Sequence, residues 1–293
     1  MSILMAMALA AVGPTKEEAK LLRPVKDSPT VQLDPNGAYI LLRSPAPAAI
    51  NLFRLATPPE IEDYRNRRWQ ALQKAHAKWV KTHAQWQDDL ATWNDTKGRV
   101  GGTAPEEPVE PTDANLDFPP IDKENLLGFG PLFRFAKDSA GTSTYLQRVW
   151  PGRYVVYGSV FVNPNGGATG MCVCMGTVAF DVEAGEITDV GSVQVNWTDV
   201  LIYPNLLNKA KPDEVEGLRS GAITMMRLTP ANGSMPVDPR LASYKIVPAK
   251  LRAAGSVPNY YGVQVDRLTA IPGIFSYDRD KIVDLTAGVA TAH

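Results

Sequence analysis

The feature that most constrains the fold is a run without helix breakers: residues 60–95 contain neither proline nor glycine. Thr57 is a suitable N-cap residue, and Pro58 and Pro59 suit the first helical turn. Acidic residues follow, where the helix dipole favours negative charge. We therefore predict one helix from Pro59 to about Asp95, ~55 Å long at 1.5 Å per residue. Because this exceeds the usual length of a globular helix, the pattern indicates a projecting arm or a coiled-coil-like element.

The segment that follows the helix, residues 103–122, is rich in proline and acidic residues. This composition favours an extended, polyproline-like chain, and about 20 such residues at ~3.1 Å each span ~60 Å, close to the helix length. The helix contains a wholly basic stretch with Arg65, Arg67, Arg68, Lys74, Lys78 and Lys81. We therefore predict that the segment returns antiparallel along the helix and forms a self-paired arm over residues 58–122. The alternative is an acidic, disordered linker beside an independent helix.

A stripe of large side chains follows the helix at alternating spacings of four and three residues, which is the seam pattern of a heptad repeat. Its members are Leu72, His76, Trp79, His83, Trp86, Leu90 and Trp93. One interpretation is packing against the sandwich or against the return segment. The other, adopted here as a hypothesis, is a contact surface for another protein or for self-association, because tryptophan is enriched at interface hot spots. On this hypothesis Trp86 and Trp93, nearest the tip, are the most accessible.

The rest of the chain has the pattern of β-structure. Residues 37–56 contain two strand-like runs, and residues 129–200 contain short strands with turn signals every ~8–12 residues, which is typical of a sandwich or barrel. Residues 201–293 are rich in loops and contain two more strand-like runs. We predict a mainly β protein, with a β-sandwich core, a long inserted α-helical arm and a loop-rich C-terminal β region.

Two stretches of the β region carry a family resemblance. The first, Val149–Gly158, has the sequence VWPGRYVVYG, and the second, Val178–Gly191, has the sequence VAFDVEAGEITDVG. Over residues 145–195 the chain resembles small exported bacterial β-sandwich modules of the carboxypeptidase-regulatory or transthyretin-like type. Those modules have a PG-x-Y-x-V strand and a later AGE turn. The resemblance implies a binding or structural module rather than an enzyme.

The N-terminal residues favour export. Residues 2–12 carry no charge, as in the apolar part of a signal peptide, and Ala8-Leu9-Ala10 supplies a small-x-small cleavage pattern. We therefore expect residues 1–13 to be a signal segment and the protein to be periplasmic, outer-membrane-associated or extracellular, with at least residues 1–10 removed. The alternative is an apolar N-terminal segment buried in a core. No other run of 18 apolar residues occurs, so no transmembrane helix is predicted.

The two cysteines, Cys172 and Cys174, lie in a strand-like run over residues 171–175. Strand geometry places their Cα atoms about 6.7 Å apart, at the outer limit for a disulfide. The favoured interpretation is a pair of small buried side chains. A strained or bulge-mediated disulfide and a metal site are the alternatives.

Charge and motifs exclude several classes of protein. The 30 basic and 31 acidic side chains give a net charge of −1, which provides no general attraction to nucleic acid. Signatures of nucleotide, haem and zinc sites and of serine hydrolases are absent, so we expect no cofactor or metal. We predict a non-catalytic protein of a bacterial envelope or extracellular assembly. The alternative is a hydrolase or carbohydrate-binding protein with an aromatic cleft in residues 197–280, formed by Trp197, Tyr203, Tyr244, Tyr260, Tyr261 and Tyr277.

Overall fold

The computed structural model describes residues 23–46, 48–96, 103–162, 167–195 and 226–287. The predicted apolar segment 1–13, and Trp197 and Tyr203 of the predicted aromatic cleft, lie outside the described residues. The chain divides into two compact units. The helical unit contains Ala56–Glu124, and the β unit contains the described residues up to Leu55 and from Asn125 onward.

The β unit is built from short strands joined by turns and loops. In chain order they are β1 (Ala38–Ser44), β2 (Ile50–Arg54), β3 (Leu126–Phe129), β4 (Ala136–Lys137), β5 (Ser143–Val149), β6 (Gly152–Val162), β7 (Ala168–Cys172), β8 (Thr177–Val182), β9 (Glu186–Val195), β10 (Met226–Thr229), β11 (Ile246–Pro248), β12 (Arg252–Gly255), β13 (Gln264–Val265), β14 (Phe275–Asp278) and β15 (Lys281–Asp284). Single 3-10 turns occur at Pro131–Phe133 and Pro239–Leu241.

These strands form two large sheets and a hairpin. The first sheet has the order β10, β9, β1, β5, β4, and β11 also pairs with β9. The second has the order β12, β8, β6, β2, β3, while β7 pairs with both β6 and β13. Neighbours are antiparallel except that β1 and β11 run parallel to β9 and β13 runs parallel to β7. The hairpin consists of β14 and β15.

The two sheets enclose the main core. Ile40 and Leu42 on β1 belong to one buried cluster with Leu52 on β2, Val156 on β6 and Phe180 on β8. Because β1 lies in the first sheet and the other three strands lie in the second, the sheets pack face to face as a sandwich. The prediction of a mainly β protein with a sandwich core and one long helix is therefore confirmed.

Smaller apolar clusters cover the outer faces of both sheets. Tyr39 and Leu41, on the opposite face of β1 from the main core, pack with Leu241. On the second sheet, Phe53 and Tyr157 belong to another cluster. Because β1 and β2 are covered on both faces, each is buried along its whole length. This explains why their sequences lack the polar and apolar alternation of a half-exposed strand.

The helical unit begins with α1 (Pro58–Thr96), a single helix of 39 residues, and ends with the single turn α2 (Ile121–Glu124). The backbone N–H and the hydroxyl of Thr57 donate to the Glu60 carboxylate at 2.7 and 2.8 Å, which caps the first turn. In the chain, this unit is inserted between β2 and β3, which are antiparallel neighbours. No helix in the described ranges is both long enough and apolar enough to cross a membrane.

The two cysteines form a disulfide, which corrects the favoured sequence interpretation. Cys172 is the last residue of β7, and Cys174 lies in the turn before β8 rather than in a continuous strand. The turn brings the two Cα atoms to 5.1 Å, within the usual range for a disulfide, instead of the ~6.7 Å of an extended chain. Both cysteines are buried in the outer cluster that contains Tyr157.

Candidate interaction site on the helical arm

The arm, residues 56–124, is held together by α1 and the return segment, residues 103–122. The indole N–H of Trp79 donates to the carbonyl oxygen of Pro108 at 2.9 Å, and that of Trp86 donates to Pro105 at 3.0 Å. The later tryptophan contacts the earlier proline, so the return segment runs antiparallel to α1. Each indole therefore donates its one N–H to a backbone carbonyl oxygen of the return segment. That oxygen lies outside any helix or sheet and has no hydrogen bond of regular secondary structure.

The two repeats match in length. Seven residues of helix separate Trp79 from Trp86, a rise of about 10.5 Å at 1.5 Å per residue. Three residues separate Pro105 from Pro108, and three residues of polyproline-like chain cover about 9.3 Å. Three residues of an extended return segment therefore cover nearly the same axial distance as seven residues of α1. A helical or compact segment of three residues would be too short to do so.

Imidazole rings fill the gaps between the indoles. The rings of His76, Trp79, His83 and Trp86 follow one another at centroid distances of 5.5, 4.8 and 5.1 Å. His83 Nε2 lies 3.2 Å from a carboxylate oxygen of Glu107, and His76 Nε2 lies 3.3 Å from one of Glu110. The glutamates thus repeat with the same three-residue spacing as the proline contacts.

Arginine and aromatic contacts hold the base of the arm. Arg67 forms a two-pronged ion pair with the carboxylate of Glu124 at 2.8 and 3.0 Å, and these hydrogen bonds raise the pKa of its guanidinium. Arg68 pairs with Asp113. The hydroxyl of Tyr64 donates to the carbonyl oxygen of Pro119 at 3.0 Å. These contacts fix the register between helix and return segment, because they do not repeat along the arm.

The charge pairing uses two of the six residues of the predicted basic stretch, Arg67 and Arg68, and not its lysines. Lys74, Lys78 and Lys81 are exposed and form no ion pair with any residue in the described part of the chain. Arg65 lies 3.7 Å from Glu62 on its own helix. The helical rotation places the lysines away from the seam, so the prediction that they pair with the acidic return segment was wrong.

The predicted contact residues lie along this seam. Trp79, Trp86, Trp93, His83 and Leu90 are half-buried, and His76 is exposed beside Glu110. The most accessible tryptophan of α1 is Trp69, which is 62% exposed. Trp69 lies outside the predicted stripe, whose three tryptophans are all half-buried, so the expectation that Trp86 and Trp93 are its most accessible members stays a prediction.

A different face of α1 is exposed along its length. It lies about 100° around the helix axis from the seam and also follows heptad spacing. Its central residues are uncharged: Gln73, Ala77, Val80, Ala84, Gln87, Ala91 and Asn94. One flank carries Lys74, Lys81, Asp88 and Asp95, all exposed. We call these eleven residues the outer face.

The tyrosines of the predicted aromatic cleft are divided among three places. Tyr244 packs on the outer cluster of the first sheet, and its hydroxyl hydrogen-bonds with the backbone of Val31 and Leu33. Tyr260 and Tyr261 lie on the outer cluster of the second sheet. Tyr277 borders the main core and donates to the carbonyl of Leu268 at 2.8 Å. The described residues therefore do not assemble these rings into one cleft.

Sequence reasoning missed a buried ion pair in the β unit. Arg43 on β1 donates through two guanidinium nitrogens to both carboxylate oxygens of Asp189 on β9, at 2.7 and 3.1 Å. The side chains are only 7% and 6% exposed. Asp189 also accepts the N–H of Gly191, and Arg43 donates to the carbonyl of Pro236. The available signal was an arginine inside an otherwise apolar strand.

Comparisons with known proteins do not extend this description. No protein-family model, curated protein or solved structure matches the chain. The resemblance to carboxypeptidase-regulatory or transthyretin-like modules therefore stays a prediction. Within the described residues, no three His, Cys, Asp or Glu side chains are grouped so that they could hold a metal ion.

Proposed function

We propose that this chain is an exported, non-catalytic protein of a bacterial envelope or extracellular assembly and that its arm contacts another protein chain. One observation carries the proposal. The return segment covers the aromatic seam of α1, yet no residue of this 39-residue helix is buried, and the outer face is exposed from Gln73 to Asp95.

The length of the helix supports a role in contact. Helices in globular proteins average about 10–14 residues and owe most of their stability to a face packed on a core. The arm instead obtains its stability from its own return segment, through the indole, imidazole and arginine contacts of the seam. The outer face takes no part in those contacts, so it is available to bind another chain without loss of the contacts that stabilise the arm.

The disulfide supports export. Disulfides form and persist mainly in oxidising compartments such as the periplasm and the cell exterior. The pair of Cys172 and Cys174 is buried under the outer cluster of the second sheet, where it links the end of β7 to the turn before β8. The buried disulfide and the uncharged N-terminal run therefore both support export through a secretory pathway.

Site-specific photo-crosslinking in the native cells tests the proposal. A photoreactive residue at Ala84, on the outer face, should give a crosslinked product of higher mass in the exported fraction. The same residue at Glu183, exposed in the turn between β8 and β9, is the control and should give none. Recovery of the protein in the cytoplasm with Met1 intact, or an Ala84 label that never crosslinks, would contradict the proposal.

A further inference from the structure

We propose that the outer face of α1 pairs with the outer face of a second copy of this chain, with the two helices antiparallel. The inference rests on the proposed function, because it names the partner that the arm contacts. It depends on two features of the exposed helix surface. One is a line of uncharged residues with heptad spacing, and the other is a flank of charged residues that pairs with the same flank of a second helix only when that helix runs antiparallel.

The centre of the outer face has the spacing of a two-helix seam. Its residues alternate by four and three, as the two inward positions of a coiled coil do. One of these positions is alanine in three successive heptads, at Ala77, Ala84 and Ala91. Alanine allows two helices to approach closely, and Val80, 49% exposed, supplies the largest apolar side chain. In the antiparallel pair, Val80 lies beside Ala91 of the second copy.

The flanking charges decide the orientation. Lys74, Lys81, Asp88 and Asp95 occupy the same flanking position in four successive heptads, so the sequence of charges is two positive and then two negative. In an antiparallel pair this flank faces the same flank of the second copy. With Val80 beside Ala91, Lys81 then faces Asp88 and Lys74 faces Asp95, and the two-fold symmetry doubles both pairs.

A parallel pair would not use these charges. Its flanks meet the opposite flank of the partner helix, which on α1 carries Trp69, His76, His83 and Leu90. None of those side chains offers a carboxylate to the lysines. The four flank charges also form no ion pair with any described residue of their own chain. A second copy therefore satisfies charges that the monomer leaves solvated.

The interface is small, and this sets its strength. The outer face covers about 34 Å of helix at 1.5 Å per residue and is about 10 Å wide. Such a contact is smaller than the ~800 Å² per partner of a stable complex. We therefore expect a weak, reversible dimer that depends on protein concentration and weakens as salt screens the exposed pairs.

Sedimentation velocity of the full chain over a wide concentration range tests the pairing. The double variants Lys74→Glu with Lys81→Glu, and Asp88→Lys with Asp95→Lys, place like charges opposite each other. Each should weaken self-association at least tenfold, whereas an equimolar mixture of the two should associate. The variant with all four substitutions keeps the net charge and reverses every pair, so it should dimerise as the wild type does.

A matched control isolates the face. Lys78→Glu makes one such charge reversal between Lys74 and Lys81, half the charge change of a double variant, but lies outside the proposed seam. It should leave the association constant within about twofold, since exposed pairs act locally. Circular dichroism confirms in each variant that α1 remains helical.

A monomer at every concentration would overturn the pairing, and so would a fourfold variant that stays as weak as the double variants. A monomeric protein whose Ala84 label captures a different protein would also overturn it, and would leave the proposed function intact. Conversely, a charge-dependent dimer of a protein that remains in the cytoplasm would support the pairing and contradict the proposed export.

Discussion

The sandwich and the arm are stabilised by different kinds of interaction. The sandwich buries large side chains between and outside its sheets, and each fully buried one contributes about 1.5–3 kcal/mol through the hydrophobic effect. The helix of the arm buries no residue and is held by a line of partly exposed hydrogen bonds and ion pairs, each worth about 1 kcal/mol or less. The sandwich should therefore unfold as one unit, whereas the arm should open locally.

The buried ion pair gives the sharpest way to break the sandwich alone. Asp189→Ala leaves Arg43 buried without its carboxylate, and breaking a buried pair in this way costs about 3–5 kcal/mol. We expect urea unfolding of the β unit to shift by that amount while amide exchange in residues 60–95 stays as in the wild type. Asp181→Ala, which removes an exposed contact with Arg153, is the control and should cost less than about 1 kcal/mol. Equal losses in the two variants would contradict the assignment.

Alkaline pH should also weaken the sandwich before the arm. Burial raises the pKa of the Tyr157 hydroxyl to about 12. A tyrosine in the unfolded chain ionises near 10, so the stabilisation is complete below about pH 10 and is lost as pH rises towards about 12. Two pKa units correspond to at most about 2.7 kcal/mol.

The alkaline loss is measured from urea unfolding at several pH values. Tyr157→Phe should make the curve of unfolding free energy against pH less steep in this range. Tyr64→Phe removes a phenol hydroxyl from the arm instead and is the control. A slope that does not depend on Tyr157 would show that another group causes the alkaline loss.

The disulfide should have a smaller effect. It closes a loop of only three residues, for which chain entropy predicts about 1.6 kcal/mol. In Cys172→Ala with Cys174→Ala we expect the loss to be local. Val257 and Asp266 donate their N–H groups to the carbonyl oxygens of Cys174 and Cys172, so their amides should exchange faster. Reduction of the wild type should give the same exchange pattern, and unchanged protection at both amides would contradict the prediction.

Local patterns in the sequence predicted the arm better than the contacts within it. The run without proline or glycine and the cap at Thr57 located α1 to within about one residue of its observed ends, because both are properties of consecutive residues. The pairing of Arg67 and Arg68, rather than of the lysines, depends on how far the helix is rotated about its axis. That rotation is set by the contact with the return segment.

The same limit applies in the β unit. The disulfide between Cys172 and Cys174 forms because β7 ends at Cys172 and a turn follows. The sequence of residues 171–175 resembles one continuous strand and gives no sign of that end. The pair of Arg43 and Asp189 depends on β1 and β9 lying side by side and parallel, although the two charges are 146 positions apart in the sequence. No local pattern specifies such a neighbour. The outer face of α1 also has heptad spacing in the sequence, but its alanines are a weaker sign of an interface than the tryptophans of the seam.

The indole hydrogen bonds provide a test inside the arm. Trp86→Phe keeps an aromatic ring against Pro105 but removes the N–H donor, which should cost about 0.5–1.5 kcal/mol of local stability. Amide exchange near residues 83–90 should become faster, while the unfolding free energy of the β unit should not change. Trp69→Phe changes an exposed ring and is the control. If Trp86→Phe instead destabilised both units equally, the arm would not open independently.

The smallest effect for each contact removed is expected at the base of the arm, where the ion pairs determine register more than stability. Exposed pairs contribute about 0.2–1 kcal/mol each, so Arg67→Gln with Arg68→Gln should lower the free energy of arm opening by no more than about 2 kcal/mol in total. Lys74→Gln with Lys78→Gln removes the same charge without touching the return segment and should have no measurable effect on opening.

Register is the more informative measurement in these two variants. The contacts of Trp79 and Trp86 repeat every heptad, so a shift of the return segment by three residues would place Pro108 beside Trp86. In the described part of the arm, the contacts at the base oppose that shift, because the arginine and tyrosine contacts there have no repeat. Distances from spin labels at Val109 and Thr82 should therefore broaden or become bimodal in the arginine variant and stay narrow in the lysine variant. A single narrow distance in both would mean that the repeating seam contacts determine the register by themselves.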